Sequence, residues 1–151
     1  MKLKAAQAVT ARFETHEQRE VVKWLRAAGV LFCSVPNGAR VKPWIANQLK
    51  AEGMQAGVPD LLIFDRPSVP WRDPPPSGTA IEMKRTAGGR LSKEQKEWHD
   101  HLRHLGWVVI VANGAADAFA QLTELGYTGL PTPNEMRNDA VRLNRASKGF
   151  V

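Results

Sequence analysis

A single cysteine stands in the 151-residue chain, so no disulfide framework forms within it and a reducing cytoplasm is the expected setting. Cys33 closes the apolar run Val30-Leu31-Phe32-Cys33, which predicts a small buried hydrophobe rather than a nucleophile. No apolar run is long enough to cross a bilayer. The basic start, Met1-Lys2-Leu3-Lys4-Ala5-Ala6, lacks the continuous apolar segment of a signal peptide, so no membrane partner is expected. Acidic residues are scarce relative to basic ones: 15 Asp and Glu face 21 Lys and Arg, a formal net charge of +6. That balance favours a polyanionic partner. The excess concentrates in residues 1–58, where nine Lys and Arg face four acids. Charge alone does not separate a nuclease from a passive binder.

What remains is an ordinary globular composition, 43% hydrophobic and 24% charged, at a length suited to one domain. Hydrophobic periodicity predicts a helix over 12–28, with Val21, Val22, Trp24, Leu25 and Ala28 inward and Gly29 as its stop. A strand over 30–35 follows, then the turn Pro36-Asn37-Gly38. Pro43 suits the first turn of a helix over 44–52, with Ile45 and Leu49 facing inward. Leu61-Leu62-Ile63-Phe64 has the length and continuity of a buried strand. The five prolines within residues 66–79 exclude regular structure and predict a projecting loop. Trp71 on it stacks on a base, meets a second subunit, or folds back on the core. Ala80-Ile81-Glu82-Met83-Lys84 re-enters the core as a strand. Ser92 with Gln95 carries a capping-box signature, opening a helix to about Leu105 with Trp98, Leu102 and Leu105 on one face. A strand over 107–111 and a helix over 115–125 complete an α/β layer with at least one crossover. Beyond 131 the chain adds a short helix around 134–143 or stays mobile and touches the ligand.

Ile81-Glu82-Met83-Lys84 carries the strongest chemical signal. Strand alternation sends Ile81 and Met83 into the core and brings Glu82 and Lys84 out together on the other face. Asp60 opens the preceding strand; if the two strands pair, Asp60 and Glu82 share an ion. Converging carboxylates repel without a cation, whereas Mg²⁺ or Mn²⁺ wants hard oxygen ligands. On spacing alone, a surface Glu-x-Lys pair and a strand-capping aspartate are the better account of these residues. Asn37, Gly38, Arg40 and Lys42 form a basic turn suited to phosphate contacts, and Lys50, Arg85 and Arg90 are further phosphate candidates. His16, His99, His101 and His104 lack zinc-finger spacing and read as helix-surface residues. A covalent mechanism has no positioned base.

Four segments together resemble the VRR-NUC domain, a branch of the PD-(D/E)xK nuclease superfamily. They are Val35-Pro36-Asn37-Gly38-Ala39-Arg40, the stretch from Leu49 to Leu61 that ends Gly57-Val58-Pro59-Asp60-Leu61, Ile81-Glu82-Met83-Lys84-Arg85, and the stretch from Gly89 to Gln95. The resemblance covers roughly residues 14–125. It implies a restriction-endonuclease-like α/β core, a central mixed sheet flanked by helices, over 12–126, with a polar extension over 127–151. It implies Asp60 and Glu82 as metal-binding acids, Lys84 as the catalytic lysine, and Met83 lending its backbone carbonyl. Glu14 is preferred to Glu17 as a helix-borne outer ligand, because Glu14 shares a face with Gln18. Gln95 matches the family's glutamine near the catalytic strand and is equally the reciprocal half of the Ser92 cap. The implied activity is metal-dependent DNA cleavage by a standalone, phage-type member in bacterial or phage-infected host cytoplasm. Standalone members resemble homodimeric enzymes of branched DNA such as Holliday junctions. The rival expectation is a binding or assembly module of the same fold that no longer cuts.

Overall fold

The computed structural model describes residues 16–36, 42–69 and 73–127. Glu14, the Asn37, Gly38 and Arg40 turn, Trp71, the helix expected around 134–143 and the extension beyond 127 lie outside the described residues.

Within them the chain forms helix α1 over 16–27, then β1 (Phe32–Ser34), α2 (Pro43–Ala51), β2 (Leu61–Ile63), β3 (Thr79–Lys84), α3 (Lys93–His104), β4 (Val108–Asn113) and α4 (Ala115–Glu124). The strands lie side by side in chain order. β1 pairs antiparallel with β2, and β2 antiparallel with β3. β3 pairs parallel with β4, so α3 is the crossover that parallel neighbours require. The result is an α/β fold with a mixed sheet flanked by helices.

Alternation along the strands separates two faces. Leu61, Ile63, Ile81, Met83, Ile110 and Ala112 join Val21 and Leu25 of α1 and Ala118 and Leu122 of α4 in one apolar core. Val21 and Leu25 are fully buried; removing each from water contributes about 1.5–3 kcal/mol. Trp24 meets Phe119 at a ring separation of 5.9 Å and joins the two helices over this face. α3 covers the opposite face, where it buries His99 and Leu102. All six residues of β3 are buried, so Glu82 and Lys84 point away from the apolar core but lie beneath a helix rather than in solvent.

Several expectations give way to particular contacts. Cys33 is exposed because the short β1 is the sheet's edge, with the burial of its residues set by one neighbour only. The inward stripe of α3 is Gln95, His99 and Leu102, while Leu105 is 64% exposed; the expected Trp98, Leu102 and Leu105 stripe is rotated. α2 fully buries none of its residues, so Ile45 and Leu49 are only half-covered. The two described ends of the proline-rich segment are tied to the rest of the fold. Ser68 N–H donates to the Leu125 carbonyl and Ser77 N–H to that of Gly106, and Pro67, Val69 and Pro76 are buried. Tyr127, at the start of the expected extension, is fully buried. Its hydroxyl donates to the Asp65 carbonyl at 2.9 Å and accepts from the Thr79 hydroxyl at 2.8 Å, and burial pushes it up to about 12.

One glycine fixes how the chain enters β2. Gly57 has φ +87°, and a Cβ there would stand 2.5 Å from the Glu94 carbonyl carbon. The loop before Asp60 is thereby seated on the first turn of α3. Gly53 has a similar φ, +101°, with open space around it. We predict that Gly57→Ala destabilises the protein more than Gly53→Ala does in urea denaturation. Backbone strain of about 1–3 kcal/mol is common to both; the clash is added only at Gly57.

Candidate active site

Antiparallel register aligns Leu61 with Ile81, and one further step places Asp60 opposite Glu82 on the same face. Asp60 ends the loop after Gly57, and its Oδ2 accepts from Met83 N–H at 2.8 Å. Its own carbonyl accepts from Val35 N–H. Asp60 is thus a tie between β2 and β3 at the level of the Glu-x-Lys word. The Met83 side chain is 4% exposed and packs into the core on the other face.

Lys84 Nζ donates to Glu82 Oε1 at 2.8 Å, with the two residues 8% and 2% exposed. An ion pair this buried is not a surface ornament. Removing one partner of such a pair costs on the order of 3–5 kcal/mol, because the other charge remains desolvated.

α3 supplies the third member. Ser92 Oγ accepts from Gln95 N–H, and Gln95 Oε1 accepts from Ser92 N–H at 2.9 Å, completing the expected capping box. The same Gln95 oxygen accepts from Lys84 Nζ at 3.1 Å, while Nε2 donates to Glu82 Oε1 at 2.5 Å. One side chain thus makes both the cap and the contacts to Lys84 and Glu82.

His99 departs most from expectation. It lies on the stripe that contains Gln95, is 1% exposed, and brings Nε2 to 4.0 Å from Glu82 Oε2. Neither ring nitrogen has a hydrogen-bond partner among the described residues. Distance alone would pass this contact as an ion pair, but burial lowers the imidazole pKa, and Arg103 and Lys84 lower it further against the opposing pull of Asp100. These effects favour the neutral form of the ring beside Glu82. The helical period of about 3.6, counted from Gln95, is the signal in the sequence that places His99 on the inward face. His101, by contrast, is exposed, as are His16 and His104.

Glu17 is already engaged. Its Oε2 accepts from Ala115 N–H at 2.6 Å, capping α4 where the N-cap residue is Gly114 and offers no side chain. Gly114 N–H donates to the Lys84 carbonyl, so this cap abuts the end of the Glu-x-Lys strand. Arg85 and Arg90 are exposed on the chain between β3 and α3, and Lys42 and Lys50 are exposed at the two ends of α2.

Among the described residues, no group of three or more His, Cys, Asp or Glu side chains is arranged to hold a metal ion. Two acids, Asp60 immediately before β2 and Glu82 on β3, are what the fold provides, with Lys84 beside Glu82. Hard oxygen donors few in number fit Mg²⁺ or Mn²⁺, which keep water and phosphate oxygens in their remaining positions. No described helix is long and apolar enough to cross a membrane.

A family profile described as the VRR-NUC domain matches residues 3–116. A solved structure described as a VRR_NUC domain protein is 22% identical, superposes with a TM-score of 0.58, and is matched over 80% of this chain and 93% of its own. At that identity it bears on the fold alone. No curated protein matches.

The His99 environment sets a pH dependence. The ring's pKa is below the ordinary 6.5 in the folded state, so the unfolded chain binds more protons as pH falls through about 6.5. Stability is full above that value and declines below it, by at most about 1.4 kcal/mol per pH unit for one proton. Urea denaturation from pH 8 to 5 is expected to show a loss that His99→Leu reduces.

Proposed function

Because the chain belongs to the VRR-NUC domain family, whose profile spans residues 3–116, we propose that it is a divalent-metal-dependent endonuclease. It hydrolyses phosphodiester bonds of DNA on a restriction-endonuclease-like core of the PD-(D/E)xK superfamily. The observation that carries this reading is the buried Lys84 ammonium, held between Glu82 and Gln95 at 2.8 and 3.1 Å, on the strand whose register faces Asp60.

Asp60 and Glu82, with the Met83 carbonyl, would hold Mg²⁺ or Mn²⁺. Such an ion polarises the phosphate and lowers the pKa of its bound water. Lys84 orients the attacking water and offsets the negative charge that grows on phosphorus oxygens. Gln95 keeps the ammonium in place through Oε1 while steadying the Glu82 carboxylate through Nε2. Hydrolysis forms a bond from water oxygen to phosphorus and breaks one phosphorus–oxygen ester bond, the departing sugar oxygen taking up a proton. Arg85, Arg90, Lys42 and Lys50, all exposed, are the described cations for backbone phosphates. The proposal extends to a homodimer that acts on branched DNA, Holliday junctions included.

Glu82→Gln and Lys84→Ala are expected to lower cleavage on the order of 10²–10³-fold while DNA binding persists. Nicking assays on linear, single-stranded, flap and four-way-junction DNA with Mg²⁺ or Mn²⁺, set against chelator controls, measure this. Thermal melts verify folding, and sedimentation reads the oligomeric state. Equal cleavage by the wild type and both folded variants would sink the site assignment. DNA binding by a wild type that never cuts would favour the binding module.

A further inference from the structure

Glu82 is held from α3 by Gln95 and has a second residue of that helix close by. Gln95 Nε2 reaches its Oε1 at 2.5 Å, and one turn further along the same stripe His99 Nε2 stands 4.0 Å from its Oε2. Both contacts come from a helix whose start is fixed by the Ser92 capping box and by Gly57 packed on Glu94. His99 is 1% exposed, and neither of its ring nitrogens meets a hydrogen-bond partner among the described residues. Buried polar groups ordinarily have partners, so a histidine in this place is more than filler for a gap that leucine would fill.

Resting on the nuclease reading of the same site, we infer that His99 is a positioning residue for the Glu82 carboxylate. A neutral imidazole carries one N–H. With the proton on Nε2, the donor nitrogen stands 4.0 Å from Glu82 Oε2, an interval that exceeds a hydrogen bond by about 1 Å. In this role the carboxylate turns toward His99 by that interval while Oε1 keeps its bond from Gln95. Gln95 and His99 then hold one oxygen each, which fixes the plane of the carboxylate relative to Asp60 and leaves Lys84 to serve water or phosphate. A polar neighbour that orients a ligand in this way typically changes metal affinity 10–100-fold when removed.

Three proteins separate this role from packing: wild type, His99→Leu and His99→Gln. Calorimetric titration with Mn²⁺ alone is expected to show about a tenfold or greater loss of affinity in His99→Leu, and recovery of most of it in His99→Gln, which restores an N–H donor. In the wild type without metal, nitrogen chemical shifts are expected to report the Nε2–H tautomer of His99. Wild-type affinity in a folded His99→Leu protein would overturn the inference and leave the nuclease reading intact. Equal loss in both variants would assign His99 to packing. If His99→Leu fails to fold, the tautomer decides, the Nδ1–H form overturning the inference. Wild type that binds no Mn²⁺ would overturn the nuclease reading and this inference together.

Discussion

The Glu82 carboxylate, 2% exposed, is the group around which the rest is organised. A charge taken so far out of water is tolerable only where cations and donors converge on it. Lys84 comes from its own strand, Gln95 from α3. Each of these is positioned by something else: Lys84 by β3's place between two neighbours, Gln95 by the Ser92 cap. The cost of burying Glu82 therefore constrains the register of the sheet and the axial position of a helix at once. A one-residue slip of β3 would turn Glu82 into the apolar face among Val21, Leu25 and Leu122.

Asp60 adds a second constraint of a different kind. Its hydrogen bond to Met83 N–H is made to the residue between Glu82 and Lys84, so the carboxylate is fixed relative to the backbone of the word rather than to its charged side chains. Backbone atoms move less than side chains when a ligand arrives. Asp60 is consequently fixed by the sheet, whereas the Glu82 carboxylate and the Lys84 ammonium are held by each other and by Gln95 of α3.

Much of this was legible in the amino-acid order. The alternation in Ile81-Glu82-Met83-Lys84 reports two faces directly, and the Ser92 and Gln95 pair reports the start of α3, because both signals are local. His99 was not legible as a buried group, since Asp100 and two further histidines surround it and a helix face is defined by what packs on it rather than by its neighbours in sequence. Cys33 misled for the complementary reason: an apolar run predicts burial only if a second strand or helix covers it, and β1 sits at an edge. The proline-rich segment looked like a projection because proline forbids strands; that its ends hydrogen-bond to the carbonyls following α3 and α4 depends on tertiary placement.

The Glu17 contact with Ala115 joins residues 98 positions apart. Loop closure over that span is slow relative to the formation of hairpins or helices. During synthesis β3 leaves the ribosome before α3, β4 and the start of α4 exist, so the acids and the lysine emerge without the elements that cover and tie them. A nascent chain thus carries Asp60, Glu82 and Lys84 before it has the elements that set their arrangement.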